Sequence, residues 1–409
     1  MKIWIRYTLG IAAGVAIGFF IDDLEMGAPF WEELSAFAVN LGTYMLIPLV
    51  FFGTIVSVHD LRENERALAT FAKAAIGIVV FTAVAIGLGL LAVLFLDPGS
   101  VPIILEEPPI PTPPTIMGIL RKAVPANALA ALSLDPAGLI SALIFAVVLG
   151  LTVASDNRFA SLLEDVVDGF GRVFYRINAV IVQVLGIGLI AVAAHTVITI
   201  RTLGDQSFFG PIILVTAVSA IVLTFGIYPL FVYFFGGRWN PAPWLLGMVP
   251  PALAALVSGN TYFAGGTLAF LGHENLGVKR RVGGALVPFT LLFARAGSAM
   301  VAAMSFIVVL NSYSGLEIGI GDVAWVALSV FVFSFALVGV PGSGVLVLLG
   351  MLAAGHGQGF EEAFLILRPA APILLGIGAY ADIMTAGAVL RIVGGSERQR
   401  ALPDVRDFV

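Results

Sequence analysis

Long apolar runs, punctuated by short charged clusters, divide this chain into membrane-spanning lengths. The run at 7–21 follows Lys2 and Arg6 and precedes Asp22, Asp23 and Glu25. Cations before and acids after place the N-terminus on the cytoplasmic side. Further spans are predicted at 30–58, kinked at Pro48, at 75–96 and at 139–153. A segment carrying Glu164, Asp165, Asp168, Arg172 and Arg176 early and turning apolar up to Ile200 reads as one long helix, its first part at the membrane interface. Another span covers 208–235, and two more, 282–310 and 370–392, each hold one charge near the centre, Arg295 and Asp382. The intervening segments are polar. They include a mixed-charge loop at 59–73, an extended loop at 97–115 with seven prolines, an amphipathic piece at 116–132 and the run Ser155-Asp156-Asn157-Arg158.

Two other apolar stretches are broken in their middles. Ser258-Gly259-Asn260-Thr261 and Gly265-Gly266-Thr267 interrupt 241–276, and Gly339-Val340-Pro341-Gly342-Ser343-Gly344 interrupts 322–355. A continuous spanning helix does not carry such clusters, whereas two half-length helices meeting at a polar tip do. Both stretches are therefore predicted as re-entrant hairpins. Lys279-Arg280-Arg281 puts the exit of the first one inside. Each hairpin is followed by a span with one buried charge, and matching interruptions of this kind point to a midplane site between inverted repeats. A charge at that depth costs roughly 2.5–3.5 kcal/mol, so Arg295 should face a partner or a wet cavity. Gly297 and Ser298 give its helix a place to unwind. The competing reading is a structural arginine paired with a neighbouring helix.

Composition narrows the class. The chain is 59% hydrophobic and 11% charged, with mean hydropathy +1.03; ordinary soluble domains carry about 25% charged residues. This is a polytopic membrane protein with little soluble mass. No basic tract offers itself to nucleic acid. With no cysteines, thiolate metal sites and disulfides are excluded. The four histidines are scattered without ligand spacing, and His59 and His273 read as ordinary loop and hairpin residues rather than pH sensors. No cleavable signal is evident. No His-Glu-x-x-His, no Gly-x-Ser-x-Gly and no carboxylate pair within one span supports an enzyme.

The order of spans and breaks resembles the dicarboxylate/amino acid:cation symporters. Gly339 to Gly344 is similar to the tip of that family's second hairpin and is the most specific match. Met45 to Phe52, Val124-Pro125-Ala126-Asn127 with the run after Ile140, Tyr175-Arg176-Ile177 through Gly186-Ile187-Gly188, and Gly376-Ile377 through Asp382 resemble its second, fourth, fifth and eighth helices. The resemblance implies an all-α protein of eight transmembrane helices plus two re-entrant hairpins, working as a homotrimer by an elevator movement. Scaffold helices one and two fall at 1–74, helix three of the moving domain at 75–96, and the Pro-rich loop with scaffold helices four and five at 97–206. Helix six, hairpin one, helix seven, hairpin two and helix eight form the transport domain at 207–395, followed by a cytoplasmic tail at 396–409. The setting implied is a cell (inner) membrane with both termini cytoplasmic.

Departures from the family pattern define the expected chemistry. Where the family's seventh helix has Asn-Met-Asp-Gly-Thr, this chain has Ala294-Arg295-Ala296-Gly297-Ser298, so the carboxylate and amide that help hold sodium are gone. Asp382 matches the aspartate that receives the substrate's amino group. Thr385 stands where acidic amino-acid transporters carry an arginine, and Val389 replaces the following asparagine. Asn260-Thr261-Tyr262-Phe263 replaces a serine-rich first tip, and Ser334 matches one serine of a second sodium site. The substrate site is thus expected at Arg295, Ser298, Val340, Gly342, Asp382, Thr385, Asn260 and Thr261, and coupling at Arg295, Asp382 and Ser334. No cofactor is expected; the coupling ion is left between proton and sodium, with an Arg295–Asp382 ion pair proposed to replace sodium. An amino acid and a small carboxylate both remain open as substrate. A conventional sodium-coupled symporter and a channel-like or non-transporting relative are the alternatives.

Overall fold

The computed structural model describes residues 1–21, 24–63, 65–102, 118, 121, 123–125, 127–132, 138–153, 160–203, 207–237, 240–314, 318–357, 360, 362–396 and 408–409. Among these, regular structure is entirely helical. The Pro-rich loop from 103 onward, the run Ser155 to Arg158 and most of the charged tail lie outside the described residues.

Helix α1 (Ile3–Phe20) lies along α6 (Ala160–Thr202), the long helix expected from its charge pattern. Gly10, Gly14 and Gly18 recur every fourth residue, so they share one face. A Cβ on Gly10 would strike the carbonyl of Gly186, one on Gly14 would lie 2.7 Å from Ala193 Cβ, and one on Gly18 2.7 Å from Val197 Cβ. Small residues at this spacing let two membrane helices approach closely, which is where association comes from when lipid is as apolar as the side chains. Replacing Gly14 by leucine should therefore force α1 off α6 and lower the melting temperature of the purified protein; an unchanged melting temperature would deny that this contact holds the pair.

The second span is divided into α2 (Leu24–Thr43) and α3 (Leu46–Glu63). Its break at Tyr44 and Met45 sits one turn before Pro48, because the missing N–H and the ring both act on the carbonyl four residues earlier. The expected loop at 59–73 is far shorter. Helix α3 runs on to Glu63 and α4 (Ala67–Leu96) begins four residues later. The polar residues there are held by partners: His59, only 4% exposed, lies 3.3 Å from Glu164, and Asp60 bonds Arg281 at 2.7 Å. His59 is thus a helix residue packed against α6, not a loop residue. Helix α5 (Gly138–Val153) packs on α3.

The sixth span runs as α7 (Gly210–Val222), one π-helical turn at Leu223–Ile227, and α8 (Tyr228–Phe235). The widened turn precedes Pro229 and takes up the backbone bond that proline removes. The first broken stretch forms α9 (Ala242–Ser258) and α10 (Thr261–Glu274), joined at Gly259, whose φ of 60° suits glycine. At about 1.5 Å per residue neither arm reaches across a 30 Å hydrocarbon core. The Gly265-Gly266-Thr267 cluster does not interrupt it. Gly266 lies inside α10, where Asn178 Nδ2 donates to its carbonyl at 2.8 Å, and Thr267 Oγ1 meets Tyr7 Oη at 3.0 Å. These small residues admit α6 and α1 rather than bend the helix.

The Arg295 span divides into α11 (Arg280–Phe293) and α12 (Ala296–Ser314). Its break falls at Ala294 and Arg295 themselves, not at Gly297-Ser298, which form the first turn of α12. The second broken stretch gives α13 (Ile320–Ser334), a short 3-10 turn at Phe335–Leu337, an irregular tip at 338–343, and α14 (Gly344–His356). Helix α15 (Ala371–Ser396) is the last span. Among the described residues, eight helical segments are long and apolar enough to cross a membrane; α13 with its 3-10 turn is one of them, whereas Leu139–Thr152 is shorter. Helices α1, α2, α3, α5 and α6 pack mutually, while α4 packs on α12 and α15, and α3 runs along α11 between the two groups.

Candidate functional site

Three helix breaks meet at one place: the α9–α10 tip, the α11–α12 break and the α13–α14 tip. The α11–α12 break leaves Arg295 facing inward, 2% exposed. Its backbone N–H turns back to Phe293 at 2.9 Å, and its carbonyl starts α12 by accepting from Ala299. Across it lies Asp382, also 2% exposed, in the middle of α15. Arg295 Nη1 and Asp382 Oδ2 are 3.7 Å apart.

Asp382 is engaged by α12 on both oxygens. Ser298 N donates to Oδ1 at 2.9 Å and Ser298 Oγ to Oδ2 at 2.6 Å. The carboxylate thus satisfies an unpaired amide at the N-terminus of α12, the end where helix dipoles favour negative charge. This requires close backbones. A Cβ on Gly297 would strike the Gly378 carbonyl and come within 2.5 Å of Ala381 Cβ and 2.7 Å of Asp382 N. Gly344 brings the start of α14 against Ser298 in the same way, its would-be Cβ 3.1 Å from Ser298 Oγ.

Above the pair the two tips touch. Thr261 N and Oγ1 both donate to the Pro341 carbonyl, at 3.0 and 3.3 Å, and Arg295 Nη1 donates to Thr261 Oγ1 at 3.0 Å. Asn260 caps α10, its Oδ1 accepting from Tyr262 N at 2.9 Å and Phe263 N at 3.3 Å; its amide side lies beside Gly342. Val340 closes the 3-10 turn onto Leu337 and stays partly buried.

Arg295, Ser298, Asp382 and Thr261 therefore form one connected polar cluster, with Asn260 and Gly342 at its lid. Two expected residues stand apart from it. Thr385 lies one turn along α15, where its hydroxyl donates to Ala381 O at 2.7 Å and meets Tyr228 Oη at 2.7 Å. Ser334 Oγ donates to Phe331 O within its own helix and bonds no member of the cluster. Tyr228, fully buried and set edge-on to Phe81 at 5.2 Å, was missed from sequence. Its signal was the Gly226 and Pro229 pair, which marks an irregular turn in an otherwise apolar span.

A second polar set lies between α3, α6 and α11. Arg280 reaches Asp168 at 3.6 Å and covers the Tyr175 ring at 5.5 Å, and Tyr175 Oη donates to Glu274 at 3.1 Å. A cavity of about 160 Å³ adjoins Arg172, Arg280 and Arg281. His273 Nδ1 contacts Val278 O at 3.0 Å, closing the end of α10.

Comparison with known proteins places this geometry. Residues 3–388 match the sodium:dicarboxylate symporter family. The chain is 20% identical over 363 residues to the C4-dicarboxylate transport protein of Rhodospirillum rubrum, spanning 86% of this chain and 78% of that protein. It is 21% identical over 412 residues to an excitatory amino acid transporter of Onchocerca volvulus, covering 87% of this chain and 83% of the relative. Against excitatory amino acid transporter 4 of Mus musculus it is 24% identical over 232 residues, 55% of this chain and 40% of that protein.

Proposed function

The chain belongs to the sodium:dicarboxylate symporter family, and from that membership we propose that it is a secondary active transporter of an amino acid or small carboxylate that works without conventional sodium coupling. The observation that carries the second half is the buried Arg295–Asp382 pair at 3.7 Å. Sodium is a hard cation that needs several oxygen ligands, and a fixed guanidinium beside the remaining carboxylate competes directly with it. The positive charge that a bound cation supplies is here part of the chain. Opening of the pair by substrate or by a proton then takes the place of cation binding.

The packing supports a division into two domains. Helices α1, α2, α3, α5 and α6 form the scaffold, held in a homotrimer, and α4 with everything from α7 to α15 moves as the transport domain. The two broken stretches act as re-entrant hairpins, with the 338–343 tip as the outer gate. Lys279, Arg280 and Arg281 beside a membrane segment, and Lys73 near the start of α4, support a reading with both termini on the cytoplasmic side of a cell membrane.

Counterflow in proteoliposomes tests this reading. Vesicles loaded with unlabelled succinate or L-aspartate should accumulate the labelled compound at a rate that changes less than about twofold when choline replaces sodium. A strict sodium requirement would defeat the uncoupled reading, and flux that only follows a gradient, with no exchange, would favour a channel.

A further inference from the structure

The polar cluster leaves one part of Arg295 unused. Its Nη1 serves Thr261 and faces Asp382, but Nε and Nη2, both buried, have no hydrogen-bond partner among the described residues. Nε–H and Nη2–H lie on the same edge of the guanidinium and point in parallel, the fork that receives both oxygens of a carboxylate. Two buried, unpaired N–H groups on a cation are costly to leave so. Tyr262, next in the chain to the Thr261 that bonds Arg295 Nη1, carries a buried hydroxyl that likewise has no hydrogen-bond partner among the described residues.

Asp382 shows the opposite condition. Both its oxygens accept from Ser298, and its charge is balanced by Arg295 and by the α12 N-terminus. An incoming ammonium would have to share oxygens that already accept from Ser298 and would meet a guanidinium of the same sign. We propose that the Nε/Nη2 edge of Arg295, assisted by the Tyr262 hydroxyl, is the substrate-carboxylate subsite of this protein, and that Asp382 is a positioning residue that receives no amino group. The inference rests on the transporter reading and narrows its substrate to small carboxylates recognised without an α-ammonium. Anchoring the carboxylate at the α11–α12 break also places it where the N-termini of α10, α12 and α14 converge, adding their partial positive charge.

The test is binding of matched pairs to the purified full-length protein, succinate against L-aspartate and propionate against L-alanine, followed by thermal stabilisation and titration. At least one amino-free acid should bind ten-fold or more tightly than its amino partner. Arg295→Lys keeps a cation opposite Asp382 but offers a single ammonium in place of the fork, so it should stay folded and lose at least ten-fold in affinity for that acid. Tyr262→Phe should lose three-fold or more with the melting temperature held. Tighter binding of the amino acid, or unchanged affinity in Arg295→Lys, overturns the subsite while sodium-independent counterflow of aspartate leaves the transporter reading standing. Binding of none of the four probes, with no counterflow, overturns both.

Discussion

Arg295→Ala should destabilise the folded protein by about 3–5 kcal/mol, the range seen when one partner of a buried pair is removed and the other charge is left uncompensated. Asp382, 2% exposed, would keep its two bonds from Ser298 and the α12 N-terminus but lose its counter-charge. The double variant Arg295→Ala with Asp382→Asn carries neither charge, and an asparagine still offers an oxygen to Ser298 N. It should recover at least half of the loss, because replacing both members of a buried pair is far less costly than removing one. Melting temperatures at one scan rate, read as a double-mutant cycle, separate pairing from packing. An Arg295→Ala protein as stable as the wild type would mean that Ser298 and the helix terminus neutralise Asp382 alone, and that the 3.7 Å pair contributes nothing to the fold.

Under the proposed function, the same pair lets this family's architecture work with altered chemistry. A transporter must bring charge to the middle of a membrane and still close around it. With an aspartate on the seventh helix, mobile cations supply the balance. With Arg295 in that region, the proposed function has the balance built in, while Asp382 holds α12 against α15 through Ser298. The cost is the unsatisfied Nε/Nη2 edge, which a carboxylate is chemically suited to fill.

Much of this was legible in the sequence, and the reasons differ from element to element. The two broken stretches were readable because Ser-Gly-Asn-Thr and Gly-Val-Pro-Gly-Ser-Gly are clusters no spanning helix carries. The juxtaposition of Arg295 with Asp382 was expected because each charge sits at the centre of an apolar span and needs a partner in low dielectric, and because the family resemblance makes those two spans neighbours. Gly265-Gly266-Thr267 misled because glycine serves two purposes in membrane helices, breaking them and letting neighbours in; only the Asn178 and Tyr7 contacts decide for the second. The loop at 59–73 was overestimated because charged residues read as solvated until Glu164 and Arg281 are seen opposite them. Thr385 and Ser334 were drawn in by alignment with family positions, yet a side chain's direction around a helix depends on its neighbours, here Tyr228 for one and the helix's own Phe331 carbonyl for the other.

Gly297 is the position where fold and chemistry are least separable, and Gly297→Val should abolish transport. The new Cβ alone would meet the Gly378 carbonyl, Ala381 Cβ at 2.5 Å and Asp382 N at 2.7 Å, all belonging to α15. Backbone cannot yield as a flexible side chain does, so α12 must withdraw by about 1 Å, a displacement on the order that leaves a built site present but too loose to act. The withdrawal stretches both Ser298 bonds to Asp382 and carries Arg295 with it, since Arg295 opens the first turn of α12. Overpacking by itself costs about 1–3 kcal/mol, so the protein should still insert and purify, with a lowered melting temperature. Carboxylate-dependent stabilisation and counterflow should both disappear, whereas Gly87→Val on α4, with no atom near its would-be Cβ, should leave them intact. Retained counterflow in Gly297→Val would show that the α12–α15 approach is dispensable, and that Asp382 acts without being held by Ser298.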